Sequence, residues 1–134
     1  MRKLSIAALI IAAAFSLGMA QDTGATQTNA DTGTPNMGQA PREPNGVGRL
    51  DLRVVDESGQ PVKGAHARLG STRSDGYFCE SWNWTDAKGV AVLPPIHMGT
   101  LKLTIKAKGY QTQKLDVATG SLSEPVRVTL VRKK

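Results

Sequence analysis

Cysteine is almost missing from this chain, and each absence narrows what the protein can be. Cys79 is the single cysteine among 134 residues, which excludes an internal disulfide framework. Lipid anchoring through a cysteine directly behind an export signal is excluded for the same reason. Cys79 itself reads as a small buried hydrophobe, the usual setting of a free thiol. Histidine is scarce too, with His66 and His97 alone. Two histidines fall short of a metal shell, and no Ser-His-Asp or Cys-His arrangement can be assembled around them. The chain is therefore expected to be no enzyme and to hold no metal and no cofactor. A helical period of useful length is also lacking. Past residue 20, no apolar run is long enough to cross a bilayer.

What is present begins with an address. Met1-Arg2-Lys3 is a positive start, Leu4 to Leu17 is apolar, and Gly18-Met19-Ala20 supplies small residues before a cut. That pattern predicts a cleavable signal peptide over 1–20, with processing after Ala20 and a periplasmic or secreted product. An uncleaved anchor would want about 20 apolar residues. Leu4 to Ala20 offers 17, with Ser5, Ser16 and Gly18 among them. Loss of Arg2 and Lys3 lowers the 17 basic side chains to 15 against 11 acidic ones, a mature charge of +4. Such a charge suits loose attraction to anionic surfaces rather than nucleic-acid binding.

Residues 21–46 are expected to form a disordered tether. Gln, Asp, Thr, Gly, Ala, Asn and Pro dominate there, and such a stretch buries too little to offset its ordering entropy. Asp22-Thr23-Gly24 and Asp31-Thr32-Gly33 match the aspartic-protease tripeptide. That chemistry needs two carboxylates sharing a proton, each held by an apolar strand. No such strand flanks either copy, so both read as low complexity.

From Val47 to Lys134 the grammar changes to two-residue alternation. Leu50, Leu52 and Val54 alternate with Asp51 and Arg53, and Asp56 to Pro61 stacks turn formers. Ala65, Ala67 and Leu69 resume the pattern. Tyr77 to Trp84 is aromatic, as strands often are. Asp86 to Gly89 turns, and Val90 to Leu93 is a short strand stopped by Pro94-Pro95. Leu101, Leu103 and Ile105 alternate with Lys102, Thr104 and Lys106; Leu115 with Val117, then Val126, Val128 and Leu130, close the series. Seven short strands with frequent turns predict one all-β domain, a seven-stranded antiparallel β-sandwich.

Gly59-Gln60-Pro61-Val62-Lys63-Gly64-Ala65, Thr85-Asp86-Ala87-Lys88-Gly89, Pro94 to Gly99 and Gly109-Tyr110, in this order behind the first strand, resemble the carboxypeptidase regulatory-like domain. The resemblance covers Gly48 to about Val131. It implies a Greek-key, transthyretin-like (prealbumin-like) sandwich that accompanies metallocarboxypeptidases without carrying their zinc. His66 and His97 indeed lack a Glu three residues on, and the chain ends Val131-Arg132-Lys133-Lys134 instead of the Tyr-Arg-Gly-Ser of the related hydroxyisourate hydrolases. Two departures from the pattern mark places for individual function: the inserted Ile96-His97-Met98 and the heavy aromatic segment Tyr77 to Trp84.

Two surfaces suggest binding. Trp82 and Trp84 share one face of a strand, and with Tyr77 nearby they could form a flat platform for sugar rings, as in the carbohydrate-binding modules this sandwich class resembles. The competing reading places the indoles in the core. Glu80 shares their parity and resists burial. The expected outcome is one buried indole and one partly exposed beside Tyr77. Lys102, Lys106 and Lys108, with Thr104 between, make a basic stripe that could hold an anionic glycan, a cell-wall polymer or a lipid headgroup, or simply solvate a strand and discourage edge pairing. Asn83-Trp84-Thr85 is formally a glycosylation sequon. The composite expectation is an exported structural or binding module for a cell-envelope polymer or another exported protein, with carbohydrate binding as the alternative and no membrane span after cleavage.

Overall fold

The computed structural model describes residues 37–134. The signal over 1–20, both Asp-Thr-Gly copies and the tether as far as Asn36 lie outside the described residues. The described chain forms nine strands: β1 Val47–Gly48, β2 Asp51–Asp56, β3 His66–Thr72, β4 Phe78–Trp84, β5 Val90–Val92, β6 Ile96–His97, β7 Thr100–Lys106, β8 Gln113–Val117 and β9 Val126–Leu130. A short 3-10 helix, Thr119–Ser123, precedes β9. None of its helices is long and apolar enough to cross a membrane.

Two sheets face each other in a sandwich-like arrangement. One has the order β4-β3-β7-β8 and is antiparallel throughout; the other has the order β5-β2-β9. Here the expectation of a purely antiparallel sandwich needs correction, because β2 and β9 run parallel, with Leu52 beside Val126 and Asp56 beside Leu130. The central strand β2 thus pairs antiparallel with β5 on one side and parallel with the last strand on the other. A ladder between the two ends of a chain must be parallel or antiparallel according to how many times the chain has crossed the sandwich, and no local pattern reports that number.

Alternation places the core as its period demands. Leu52 and Val54 of β2, Val128 and Leu130 of β9, Ala67 and Leu69 of β3, and Leu101, Leu103 and Ile105 of β7 join one buried cluster between the sheets. Leu122, on the 3-10 helix, is fully buried in the same cluster. The inserted Ile96-His97-Met98 is structural: Ile96 and His97 pair with β1 as a separate two-stranded ladder, and Met98 is wholly buried. Met98 also donates its N–H to the Gly46 carbonyl at 2.8 Å.

Residues 39–46, expected to belong to the tether, are part of the domain. Gln39 and Arg49 exchange two backbone hydrogen bonds of 2.8 Å each, Ala40 packs on the core, and Asn45 binds Ser74 through its side-chain amide. Composition alone hid this, because backbone pairing needs no apolar side chains. On β2, Asp51 and Arg53 lie on the face turned away from Leu52 and form a buried ion pair of 2.9 Å.

Candidate binding face on the four-stranded sheet

The residues that alternate with the core strands form the outer face of β4-β3-β7-β8, and register sorts them into rows. Trp84, His66 and Lys106 lie side by side across β4, β3 and β7. The next row holds Trp82, Arg68, Thr104 and Lys114, the third Glu80, Gly70, Lys102 and Asp116. Aromatic groups gather on the edge strand β4, cations on the three strands beside it.

Both indoles are outside the core, each 52% exposed. This corrects the expectation that one of them is buried. The inward parity of β4 belongs instead to Cys79, Ser81 and Asn83, and Cys79 is only partly buried. Small and polar groups suffice there because Asn83 uses its amide to hold the Val92 carbonyl at 2.9 Å, tying β4 to the opposite sheet at β5. Thr85 donates to the Val62 carbonyl and accepts the Ala65 N–H. The sequon's side chains are thereby engaged in the fold.

Trp82 and Trp84 meet with ring centroids 5.4 Å apart at 77°, the edge-to-face geometry that aromatic quadrupoles favour. Their surface is therefore a corner and not a flat platform. His66 completes it, 4.9 Å from Trp84 and 6.4 Å from Trp82. A sugar ring can lay its C–H face on one indole while the other walls its edge. The imidazole offers a hydrogen-bonding nitrogen beside them.

Tyr77 does not join this corner. It sits in the β3–β4 turn, five residues from Trp82, about 17 Å along an extended chain. Its ring faces the Arg73 guanidinium at 5.7 Å, and its N–H binds the Asp75 carboxylate. Phe78 instead shares the face, 57% exposed, leaning over the bare Gly70 backbone. The third aromatic on the outer parity was thus legible in the alternation of Phe78, Glu80, Trp82 and Trp84.

The expected basic stripe is confined to Lys102 and Lys106, since Lys108 lies in the turn beyond β7. Arg68 from β3 and Lys114 from β8 widen it into a groove of about 590 Å3 floored by β3, β7 and β8. Arg68 approaches Glu80 at 3.4 Å and Lys102 approaches Asp116 at 3.6 Å. The alternation of Lys114 and Asp116 with Leu115 carried the signal for this outer position on β8. No group of three or more His, Cys, Asp and Glu among the described residues is placed to hold a metal ion.

No family model matches the chain, and no curated protein matches it. Among solved structures it is similar to the crystal structure of 3-chlorocatechol 1,2-dioxygenase from Rhodococcus opacus 1CP, at 14% identity and a TM-score of 0.50. The match covers 63% of this chain and 60% of that one, so the chain spans less than two thirds of the dioxygenase. At this identity the likeness concerns the fold alone.

Proposed function

We propose that the protein is an exported, non-enzymatic β-sandwich module that binds carbohydrate through the corner formed by Trp82, Trp84 and His66. One observation carries the reading: two indoles, each half exposed, are held against each other and a histidine on the outer face of a regular sheet. Leaving large apolar rings in water forgoes burial energy of about 25 cal/mol per Å2. A ligand that covers them recovers it. A rigid sheet also holds them without a large ordering cost on binding.

A Greek-key, transthyretin-like connectivity and the resemblance to carboxypeptidase regulatory-like domains belong to this reading, supported by the order of the turn motifs. Export rests on the signal pattern over 1–20. The cell-envelope role follows from export together with the carbohydrate reading.

The test is a glycan array probed with the exported chain, followed by affinity electrophoresis in the best polysaccharide. Retardation that disappears in Trp84→Ala, with cooperative unfolding retained and the midpoint lowered only by the loss of its two ring contacts, supports the reading. Binding that survives loss of both indoles overturns it.

A further inference from the structure

Across the face from the aromatic corner, the charges do not cancel. Arg68 is matched by Glu80 and Lys102 by Asp116. Lys106 and Lys114 also line the groove and have no acidic partner among the described residues. Lys106 follows Thr104 by two residues on β7, and Lys114 pairs with Thr104 from β8. The two lysines are therefore diagonal neighbours on one face, a relationship that sets the residues about 7–8 Å apart. Two flexible four-carbon stems can bring both ammonium groups onto one anion from there. Lys106 is also the end of the row that starts at Trp84 and passes through His66. The backbones that carry the indole and the ammonium are two strand spacings apart, about 10 Å.

We propose that the ligand of this face is an acidic glycan: a sugar ring stacks in the Trp82–Trp84 corner and a carboxylate on the same chain sits between Lys106 and Lys114. The inference rests on the carbohydrate reading above and adds the charge of the substrate class. The remaining charges on the face separate this ligand from a nucleic acid. Stacking rings beside cations also suit a single strand, but a strand presents a phosphate at every step. Glu80 and Asp116 stand along the path it would take and already engage Arg68 and Lys102, so successive phosphates meet no unmatched cation there. A polymer with discrete acidic groups can place one at the two unmatched lysines and hydroxyls elsewhere.

The test measures binding of the full exported chain to four probes at low salt: a partly methyl-esterified polygalacturonate, whose free carboxylates are spaced apart, neutral dextran, dextran sulfate and a single-stranded oligodeoxynucleotide. Polygalacturonate should bind more tightly than dextran, with an affinity that falls as salt rises. Lys106→Gln/Lys114→Gln should weaken polygalacturonate by about tenfold, the worth of roughly 1.4 kcal/mol, and leave dextran unchanged. Arg42→Gln/Lys88→Gln removes the same charge outside the four-stranded sheet and should change neither. An equal loss in that second variant would reduce the effect to net charge and overturn the proposal. Preference for dextran sulfate would move the ligand to sulfate-bearing glycans and overturn the carboxylate assignment, and preference for the oligonucleotide would overturn the glycan. Equal binding of dextran and polygalacturonate, insensitive to the lysines but lost in Trp84→Ala, would overturn the acidic ligand alone. No binding of any glycan would remove the carbohydrate reading with it.

Discussion

The imidazole of His66 lies 4.9 Å from the indole of Trp84, tilted by 52°, on strands that pair these two residues directly. This contact and the Trp82–Trp84 contact fix the aromatic corner before any ligand arrives. Pairs of this kind are worth about 0.5–1.5 kcal/mol. His66→Ala should therefore lower stability by no more than about that amount and shift tryptophan emission to the red, because Trp84 loses its cover. An unchanged emission spectrum would mean that the imidazole does not order the indole.

Leu103 and Lys102 are sequence neighbours on opposite faces of β7, one fully buried and the other with its side chain 76% exposed. Leu103→Ala should cost about 2–5 kcal/mol, and Lys102→Ala should stay within roughly 0.5 kcal/mol. Denaturant unfolding of the two variants reads both. Similar costs would contradict the face assignment of the whole sheet.

The alternation of Leu101, Leu103 and Ile105 made β7 legible, because one face meets a core and the other meets water. Strands β1 and β6 were not legible, since two residues cannot establish a period. The partnership of β2 with β9 was also hidden: ladder partners are set by the global path of the chain, not by local composition. For β4 the difficulty was different. Phe78, Glu80, Trp82 and Trp84 look like a core face by size, whereas Cys79, Ser81 and Asn83 look polar. Glu80 was the residue that pointed to the exposed face, since a carboxylate without a buried cation stays in water, but it did not outweigh the size of the indoles. Arg68 and Lys114 completed the groove from outer strand positions that the sequence did not single out.

The Asp86 turn is a second test of local structure. Its carboxylate accepts the N–H groups of Lys88 and Val90 at 2.8 and 3.0 Å. Gly89 sits at φ 71°, where a Cβ would strike the Val54 carbonyl. Both Asp86→Ala and Gly89→Val should lower the unfolding midpoint, and the glycine change should do more, because a β-branched residue resists positive φ. Neither should alter glycan affinity.

Removing the segment before Gly46 should lower the unfolding midpoint. The loss includes the paired Gln39–Arg49 hydrogen bonds, the Asn45–Ser74 contacts and the 3.3 Å bond from the Met37 N–H to Asp51. Each such bond contributes about 0.5–1.5 kcal/mol net. A chain starting at Gly46 that unfolds with the midpoint of one starting at Met37 would show that these contacts add nothing.

Asp51 holds the buried Arg53 guanidinium through both carboxylate oxygens, at 3.1 and 2.9 Å. Asp51→Ala should cost about 3–5 kcal/mol, the usual consequence of leaving one member of a buried pair behind. A cost near zero would mean that Arg53 finds water instead.

Iodide quenching of tryptophan fluorescence tests the central claim most directly, since Trp82 and Trp84 are the chain's two tryptophans. In the free protein both indoles should be quenched and the emission should lie to the red. Saturating polygalacturonate should protect them, and Trp84→Ala should abolish the protection while the chain still unfolds cooperatively, its midpoint lowered only by the loss of the two ring contacts. Blue-shifted emission that iodide cannot reach in the free protein, or quenching that no glycan diminishes, would contradict a carbohydrate-binding face on this sheet.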